Sequence, residues 1–522
     1  MNKILLLLML SSISCIAQPS ILWQKSGNGT NLDFGFSVAE TTDGGVVTVG
    51  NSKSVNGGFA SNHGDSDAVV IKYDTQGTVI WHKMFGGTLA DAAQNVIATS
   101  DGGCIFVGQT ASNDGDISGN HGMTDAWVMK LGADGEIQWQ RVMGGSQYDH
   151  ANTIEQTPDG GYLVGAHTSS LNGDVPQTSG AFMNAWVFRL NAQGETTWQQ
   201  TYPTNIYTGT GTHATHSADG GCLAISTRTS PVGVPDGSAT VYYSDVRAVK
   251  YNAEGNVEWT RWYGGSFQEQ AETVRATSDG GYILTASSMS NDGDVSGHHG
   301  FPTTVDSGTD DIWVVKLDAL GNIQWQKSFG GSSNDSAVDA RQTPDGGYIV
   351  LGTAASNGSD IVGNHGSPAN PTTDFWIAKL SPLGVIQWSK CLGGTSTELA
   401  NGIALASDNG FVVAGASIST NGDITQNFGS YDIWTVKLGP DPLSIHEFAQ
   451  NQITLHPNPA TDRVEIESSL TVTSVTISDG TGRIVRLQAN SAIIELTGLP
   501  SGMYFARITT ENASHLVKII KR

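Results

Sequence analysis

The sequence predicts an all-β protein: a seven-bladed β-propeller followed by a small C-terminal β-sandwich. Three observations carry that prediction. A tryptophan recurs as Trp23, Trp81, Trp139, Trp198, Trp259, Trp325 and Trp388, at spacings of 58, 58, 59, 61, 66 and 63 residues. An Asp-Gly-Gly turn recurs at Asp43, Asp101, Asp159, Asp219, Asp279 and Asp345, with Asp408-Asn-Gly410 as the seventh copy. The two ends of the array also match, because the chain enters with a lone strand and leaves with a lone strand that lacks its neighbour.

One copy of the repeat, Asp311 to Gly352, shows why each unit reads as four strands. Asp311-Ile-Trp-Val-Val-Lys-Leu317 alternates as a strand does, and Asp318-Ala-Leu-Gly321 turns the chain into a second strand around Trp325. Gly330-Gly331 links to a third strand of small residues, Ala337 and Ala340, and Asp345-Gly-Gly347 turns it into Tyr348-Ile-Val-Leu351. Units of this length are long for one coil of a β-solenoid and suit propeller blades. The first strand, Ile21-Leu-Trp23-Gln-Lys25, has no hairpin partner before it, and Asp432-Ile-Trp434-Thr-Val-Lys-Leu438 has none after it. Pairing the two completes the seventh blade and removes an open edge. The propeller is expected over residues 18–440.

If the small-residue strand is innermost, the short turns share one face, and the Gly-Gly links and long loops share the other. Function usually sits on such loops. Two features decorate that face. An acidic residue stands ten positions before each Asp-Gly-Gly turn, as Asp33, Asp91, Asp149, Glu269, Asp335 and Glu398, and only the fourth unit breaks the series, with Gly209. These carboxylates read either as a cation-attracting ring at the channel mouth, and so as binding-face candidates, or as local acceptors of backbone N–H bonds within each blade. The second feature is the loop Asn113-Asp114-Gly-Asp116, repeated as Asn291-Asp292-Gly-Asp294 and more loosely from Asn357. Asp114, Asp116, Asp292 and Asp294 present hard oxygens of the kind Ca²⁺ takes, so Ca²⁺ is the one cofactor to test for; Asx turns are the alternative. The loop histidines His63, His121, His299 and His365 fall in separate blades and read as packing residues.

The fourth unit departs from the others. It loses the acidic residue and carries its own loop, Ser230 to Ser244, with Tyr242 and Tyr243 as binding candidates and Arg228 and Arg247 nearby. The sequence holds no G-x-S-x-G, H-E-x-x-H or Cys/His ligand spacing, so no catalytic or cofactor-binding residue is assigned. The Asp-x-x-Gly turn and its tryptophan look like the docking motif of quinoprotein propellers and the Asp-box of sialidase propellers, neither of which brings a catalytic residue.

Composition narrows the partners. Lys and Arg total 26 against 49 Asp and Glu, a net charge of −23, which excludes nucleic acid and anionic membrane as partners for the whole chain. Met1-Asn-Lys3, the apolar run Ile4 to Leu10 and Cys15-Ile-Ala17 predict a signal peptide over 1–17, cleaved before Gln18. Acylation of Cys15 is the rival. No later run is long and apolar enough to span a membrane. Beyond the signal, Cys104, Cys222 and Cys391 remain, and no disulfide is expected among them.

After Gly439-Pro-Asp-Pro442 the repeat stops, and a linker over 441–452 precedes alternating strands such as Val464-Glu-Ile466 and Val475-Thr-Ile-Ser478. The order Pro457-Asn-Pro459, Asp479-x-x-Gly-Arg483, Leu499-x-x-Gly502-x-Tyr504 and a Lys-rich tail closely resembles the C-terminal sorting domain of type IX secretion in Bacteroidetes-type bacteria. His456 stands where a tyrosine is common. The resemblance covers 453–522 and implies handling by the outer-membrane type IX machinery, with release or attachment at the cell surface. The propeller units resemble those of uncharacterised secreted propeller-repeat proteins. The expected function is a monomeric, non-enzymatic binding or adhesion module for an extracellular glycan or protein. The alternative is a polysaccharide lyase or hydrolase that uses loop-face carboxylates as acid and base.

Overall fold

A computed structural model describes residues 18–176, 183–204, 211–233, 240–300, 308–367, 371–441, 453–468, 472–479, 483–489, 492–510 and 514–522. The chain forms two compact units, 1–442 and 443–522. The first is built from seven four-stranded antiparallel sheets, each of strands consecutive in sequence except the last. In order they occupy 33–85, 91–143, 149–203, 213–263, 269–329, 335–392 and 398–438. The seventh takes its fourth strand from the N-terminal end: Ile21–Ser26 pairs antiparallel with Asp432–Leu438, Lys25 opposite Thr435 and Ser26 opposite Trp434.

The burial patterns explain this order. Outside the fourth sheet, the second and third strands are buried on both faces, as in Cys104–Thr110 and Asp125–Leu131. The fourth strands are exposed or half-buried along most of their length and buried only toward their ends, as in Ile137–Met143. First strands are rich in small residues, and they touch one another from sheet to sheet in an unbroken circuit that returns from the seventh to the first. Gly402 shows how closely they approach: a Cβ there would stand 2.9 Å from the Ser37 Cα on the first strand of the first sheet. The arrangement is propeller-like, and apolar clusters fill the space between neighbouring sheets. Cys104, Cys222 and Cys391 are free and buried among these side chains.

On the short-turn face each repeat is held by two devices. A lysine of the third strand reaches the Asp of the turn, as Lys130 Nζ does to Asp101 Oδ2 at 2.8 Å and Lys316 to Asp279 at 2.8 Å; Arg189 does so in the third sheet. The repeated tryptophan clasps the turn of the next sheet. Trp81 Nε1 donates to Ala133 O at 3.0 Å, and Trp23, contributed by the N-terminal strand, donates to Thr75 O of the first sheet at 3.2 Å. Gly77 lies in the left-handed region at φ +78°, and a Cβ there would meet the Trp23 ring at 2.6 Å, so both turn and packing require glycine.

The second unit contains a three-stranded sheet, with Arg463–Ser468 flanked by Ile453–His456 and Ile493–Glu495. It also contains a four-stranded sheet centred on Val472–Asp479 and Gly502–Thr510. The two share one apolar core that includes Val464, Ile466, Val475, Ile477, Ala506, Ile508 and Ile519. No helix among the described residues is long and apolar enough to cross a membrane. The expected signal segment 1–17 and nearly all of the expected linker 441–452 lie outside the described residues.

Candidate functional site

The six carboxylates of the acidic series sit at the start of their first strands, each 0–1 % exposed. Every one is engaged by its own sheet. Asp33 accepts from the Ser52 hydroxyl at 2.5 Å and the Ser54 hydroxyl at 2.9 Å. Asp91 accepts from Gly87 N at 2.8 Å and Ser112 Oγ at 2.7 Å, and Asp149 from Gly145 N at 2.7 Å, Ser170 Oγ at 2.7 Å and the Thr168 hydroxyl. Glu269, Asp335 and Glu398 repeat the contact with Gly265 N, Gly331 N and Gly394 N at 2.8–2.9 Å. The second glycine of each link is therefore a donor to the carboxylate four residues later.

The first glycine has a different neighbour. A Cβ on Gly144 would stand 2.6 Å from Asp149 Oδ2 and 2.7 Å from Asp125 Oδ1, and Gly86 and Gly393 are enclosed in the same way by Asp67 with Asp91 and Asp374 with Glu398. Each such pair joins the third strand of one sheet to the first strand of the next. The third-strand carboxylate is held from its other side by the loop histidine: His63 to Asp67, His121 to Asp125 and His365 to Asp374 at 2.6 Å, and His299 to Asp311 at 2.9 Å. Burial pushes Asp67, Asp125 and Asp374 above the usual carboxylate range. The spacing of His63 from Asp67 and His121 from Asp125, four residues each, is the signal by which these pairs are legible in sequence.

The four aspartates expected to offer oxygens to calcium accept hydrogen bonds from the Gly-Gly links and the residues that follow them. Asp114 Oδ1 accepts from Thr88 N at 2.8 Å and its Oδ2 from Thr88 Oγ1 at 2.9 Å; Asp292 does the same with Ser266 at 2.7 and 2.6 Å. Asp116 and Asp294 accept from Gly86 N and Gly264 N at 3.2 and 3.3 Å. Asn172 and Asn421 occupy the place of Asp114 in two other sheets and take the same bond, from Ser146 N and Thr395 N at 2.9 Å. The role needs an oxygen and not a charge. Among the described residues no three His, Cys, Asp or Glu side chains group as metal ligands.

Where the first strands meet, a cavity of about 340 Å³ is lined by residues of all seven sheets, among them Ser37, Asn95, Thr153, His213, Asp339 and Asn401. Its charge is concentrated on one side. Arg275 donates to Asp339 at 3.1 Å, and Arg341 Nε lies 3.3 Å from the same carboxylate. Burial opposes ionisation of Asp339, but Arg275 and then Arg341 hold it below the usual range. Glu272, on the same wall, is pushed up to about 8 by desolvation. The sequence reading gives these residues no role, although Thr273-x-Arg275 and Asp339-x-Arg341 put an arginine on a first strand, which the other first strands lack.

The fourth sheet carries the departures. Its second and third strands, Cys222–Gly233 and Thr240–Tyr251, run 12 residues each where the corresponding strands elsewhere run 7, so what reads as a loop in sequence is largely a projecting hairpin. Arg228 stands where Ser52, Thr168, Ser288 and Ser417 donate to carboxylates in other sheets. Arg247, paired across the strands with Ser226 and Trp262, stands where other sheets bury Trp127, Trp186, Trp313, Trp376 or Trp434. Arg247 lies 4.5 Å over the Tyr202 ring and 5.5 Å from the Trp262 ring, and Arg228 lies 5.2 Å from that same indole. Tyr243 is half-buried on the hairpin, opposite Ser230, and the Tyr242 side chain and Gly209 lie outside the described residues.

Comparison with known proteins assigns the C-terminal unit. Residues 454–522 match the model of a secretion system C-terminal sorting domain. This segment directs the chain to type IX secretion, so the protein is secreted, attached to the outer cell surface, or both. A regulatory protein, FlaEY, of Caulobacter vibrioides is 22% identical over 488 residues, which is 83% of this chain and 48% of that protein; the chain thus spans about half the length of this relative. An ulvan-degrading polysaccharide lyase aligns at TM-score 0.45 and 10% identity, covering 80% of this chain and 96% of that one. A protein of unknown function from Bacteroides caccae aligns at TM-score 0.36 and 12% identity, covering 62% and 90%.

Proposed function

We propose that residues 18–440 form a seven-bladed β-propeller, joined by the linker 441–452 to a C-terminal β-sandwich at 453–522, and that the propeller is an extracellular binding module for a glycan or protein. The sorting domain places the molecule outside the cell, and the circuit of first strands with a shared seventh sheet supports the blade count. The observation that carries the function is the fourth sheet. Six sheets repeat one internal hydrogen-bonding scheme, and this one abandons it on the long-loop face while extending a hairpin from the same place. A scaffold has no need of such a departure; a ligand site does. The acidic series supports binding over turnover, because all six carboxylates are buried and used by the blades themselves.

The enzyme reading has one observation in its favour, the axial cavity, where Glu272 would hold a proton near neutral pH in a lining that also includes Arg275 and Arg341. A glycan array run beside a polysaccharide-degradation screen separates the two. Retention on an array without turnover supports the binding module. Turnover that Glu272→Gln abolishes, while hairpin substitutions leave it intact, overturns it.

A further inference from the structure

Among the described residues, the Arg228 guanidinium makes no hydrogen bond, and that of Arg247 makes one, to Pro203 O at 3.3 Å. The Nε of each is buried without a partner. Neither forms an ion pair with a described residue, although acids outnumber bases 49 to 26 in this chain and Arg189, Arg275 and Arg341 all face aspartates. The cross-strand neighbour of Arg228, Asp245, does not serve: its Oδ1 points at Gly264, beside Glu269, into the junction with the fifth sheet. Two guanidiniums thus share the Trp262 indole, the fork of Arg228 uncommitted and that of Arg247 engaged only by Pro203 O. The π face offsets part of their mutual repulsion, and the half-exposed ring, at 41 %, holds them at the rim. Burial, and beyond it the charge of Arg228, pushes the Arg247 guanidinium down.

Buried donors without acceptors are costly, and two adjacent arginine forks match the oxygens of one oxyanion. We infer that Arg228 and Arg247 form a subsite for a sulfate or carboxylate group of a sparsely charged extracellular polysaccharide. This rests on the binding-module reading and names its ligand. The charge distribution selects the ligand class. A folded acidic protein needs about 800 Å² of contact per partner and would set its remaining charges against a surface of net −23. A mostly neutral sugar chain a few ångströms wide brings one anion to the pair and little charge elsewhere. A densely charged polyanion is repelled for the same reason as the protein.

The test uses the whole mature chain and four probes: lightly sulfated dextran, lightly carboxymethylated dextran, unmodified dextran and poly-glutamate. Binding is measured by surface plasmon resonance at low and moderate salt, for wild type, Arg228→Gln, Arg247→Gln and Arg228→Lys, with a melting curve for each. The expected result is binding of one or both anionic dextrans that weakens with salt. Arg228→Gln should lose about tenfold or more at an unchanged melting midpoint, and Arg228→Lys should recover only part of it. Arg228 sits at the rim, so its variants report even if Arg247→Gln fails to fold. The relative response to sulfate and carboxymethyl groups says which oxyanion is preferred. Equal binding of unmodified dextran, untouched by Arg228→Gln, overturns the oxyanion subsite while the binding module stands. Tighter binding of poly-glutamate than of either anionic dextran overturns the saccharide assignment, and no binding of any probe overturns the subsite.

Discussion

The least forgiving residues are the glycines between paired carboxylates. Gly144 has no room for a Cβ between Asp125 and Asp149, neither of which can yield without losing its own donors. Gly144→Ala is therefore expected to cost about 1–3 kcal/mol in denaturant unfolding. Gly160→Ala, with nothing within 4 Å but a φ of +84°, should cost less. Equal losses would show that the carboxylate pair adds nothing to the constraint. Protonation acts at the same scale. Burial pushes Glu269 up to about 7, Asp335 up to about 6 and Asp432 up to about 7. Their folded values exceed the unfolded value of about 4, so the stability they contribute is full below about pH 4 and is lost as pH rises through about 6–7. The turn aspartates work in the opposite sense. Burial opposes their ionisation, but Lys130 and Lys316, with turn hydroxyls and N–H groups, hold Asp101 and Asp279 at about 2. That contribution is present above about pH 4 and lost as pH falls toward about 2. Burial pushes His150, His167 and His213 down to about 4, 3 and 4, so they work against the raised acids below about pH 6.5. The test is therefore a difference: the melting midpoint of wild type minus that of Glu269→Gln should grow as pH is lowered from about 7 to about 5, and a difference that stays constant over that range contradicts the assignment. The positions of these acids are visible in sequence, but the pairing of Asp125 with Asp149 across two sheets is not, because it depends on which strands lie side by side.

At the level of the element, the Asn/Asp loops cap the Gly-Gly links. Because Asn172 and Asn421 make the bond that Asp114 and Asp292 make, Asp114→Asn should leave the melting midpoint unchanged, and Asp114→Ala should cost about 1 kcal/mol. Millimolar calcium should shift none of these midpoints relative to chelator. A rise in wild type that Asp114→Asn removes would instead place an ion in the loop. The strands themselves are legible because alternation and turn chemistry are local. The hairpin of the fourth sheet is less so: Thr229 to Gly233 and Thr240 to Ser244 carry Ser, Pro and Gly that read as loop, and only their pairing makes them strand. The arginine pair is hidden for a related reason. Arg247 takes a tryptophan's place and Trp262 stands opposite, so the exchange shows only once the strands are in register.

At the level of the molecule, the repeat and its matching ends announce the circuit, and the N-terminal strand lies where that reading puts it. Ile21–Ser26 completes the seventh sheet, Trp434 Nε1 donates to Gln24 Oε1 at 3.0 Å, and Gln24 Nε2 reaches Asp423 O at 2.6 Å. Removing residues 18–26 from the mature chain should unfold it or drive it to oligomers through the exposed edge of Asp432–Leu438, as read by melting curve and light scattering. A monomer with an unchanged curve would show that the joint is dispensable. The joint also has a meaning in time. The strand made first must wait for nearly the last strand of the array, so a chain stopped anywhere before Asp432 keeps an unmatched edge however well its earlier sheets have formed. Since the sorting segment follows in sequence, a chain long enough to carry its export address is also long enough to close.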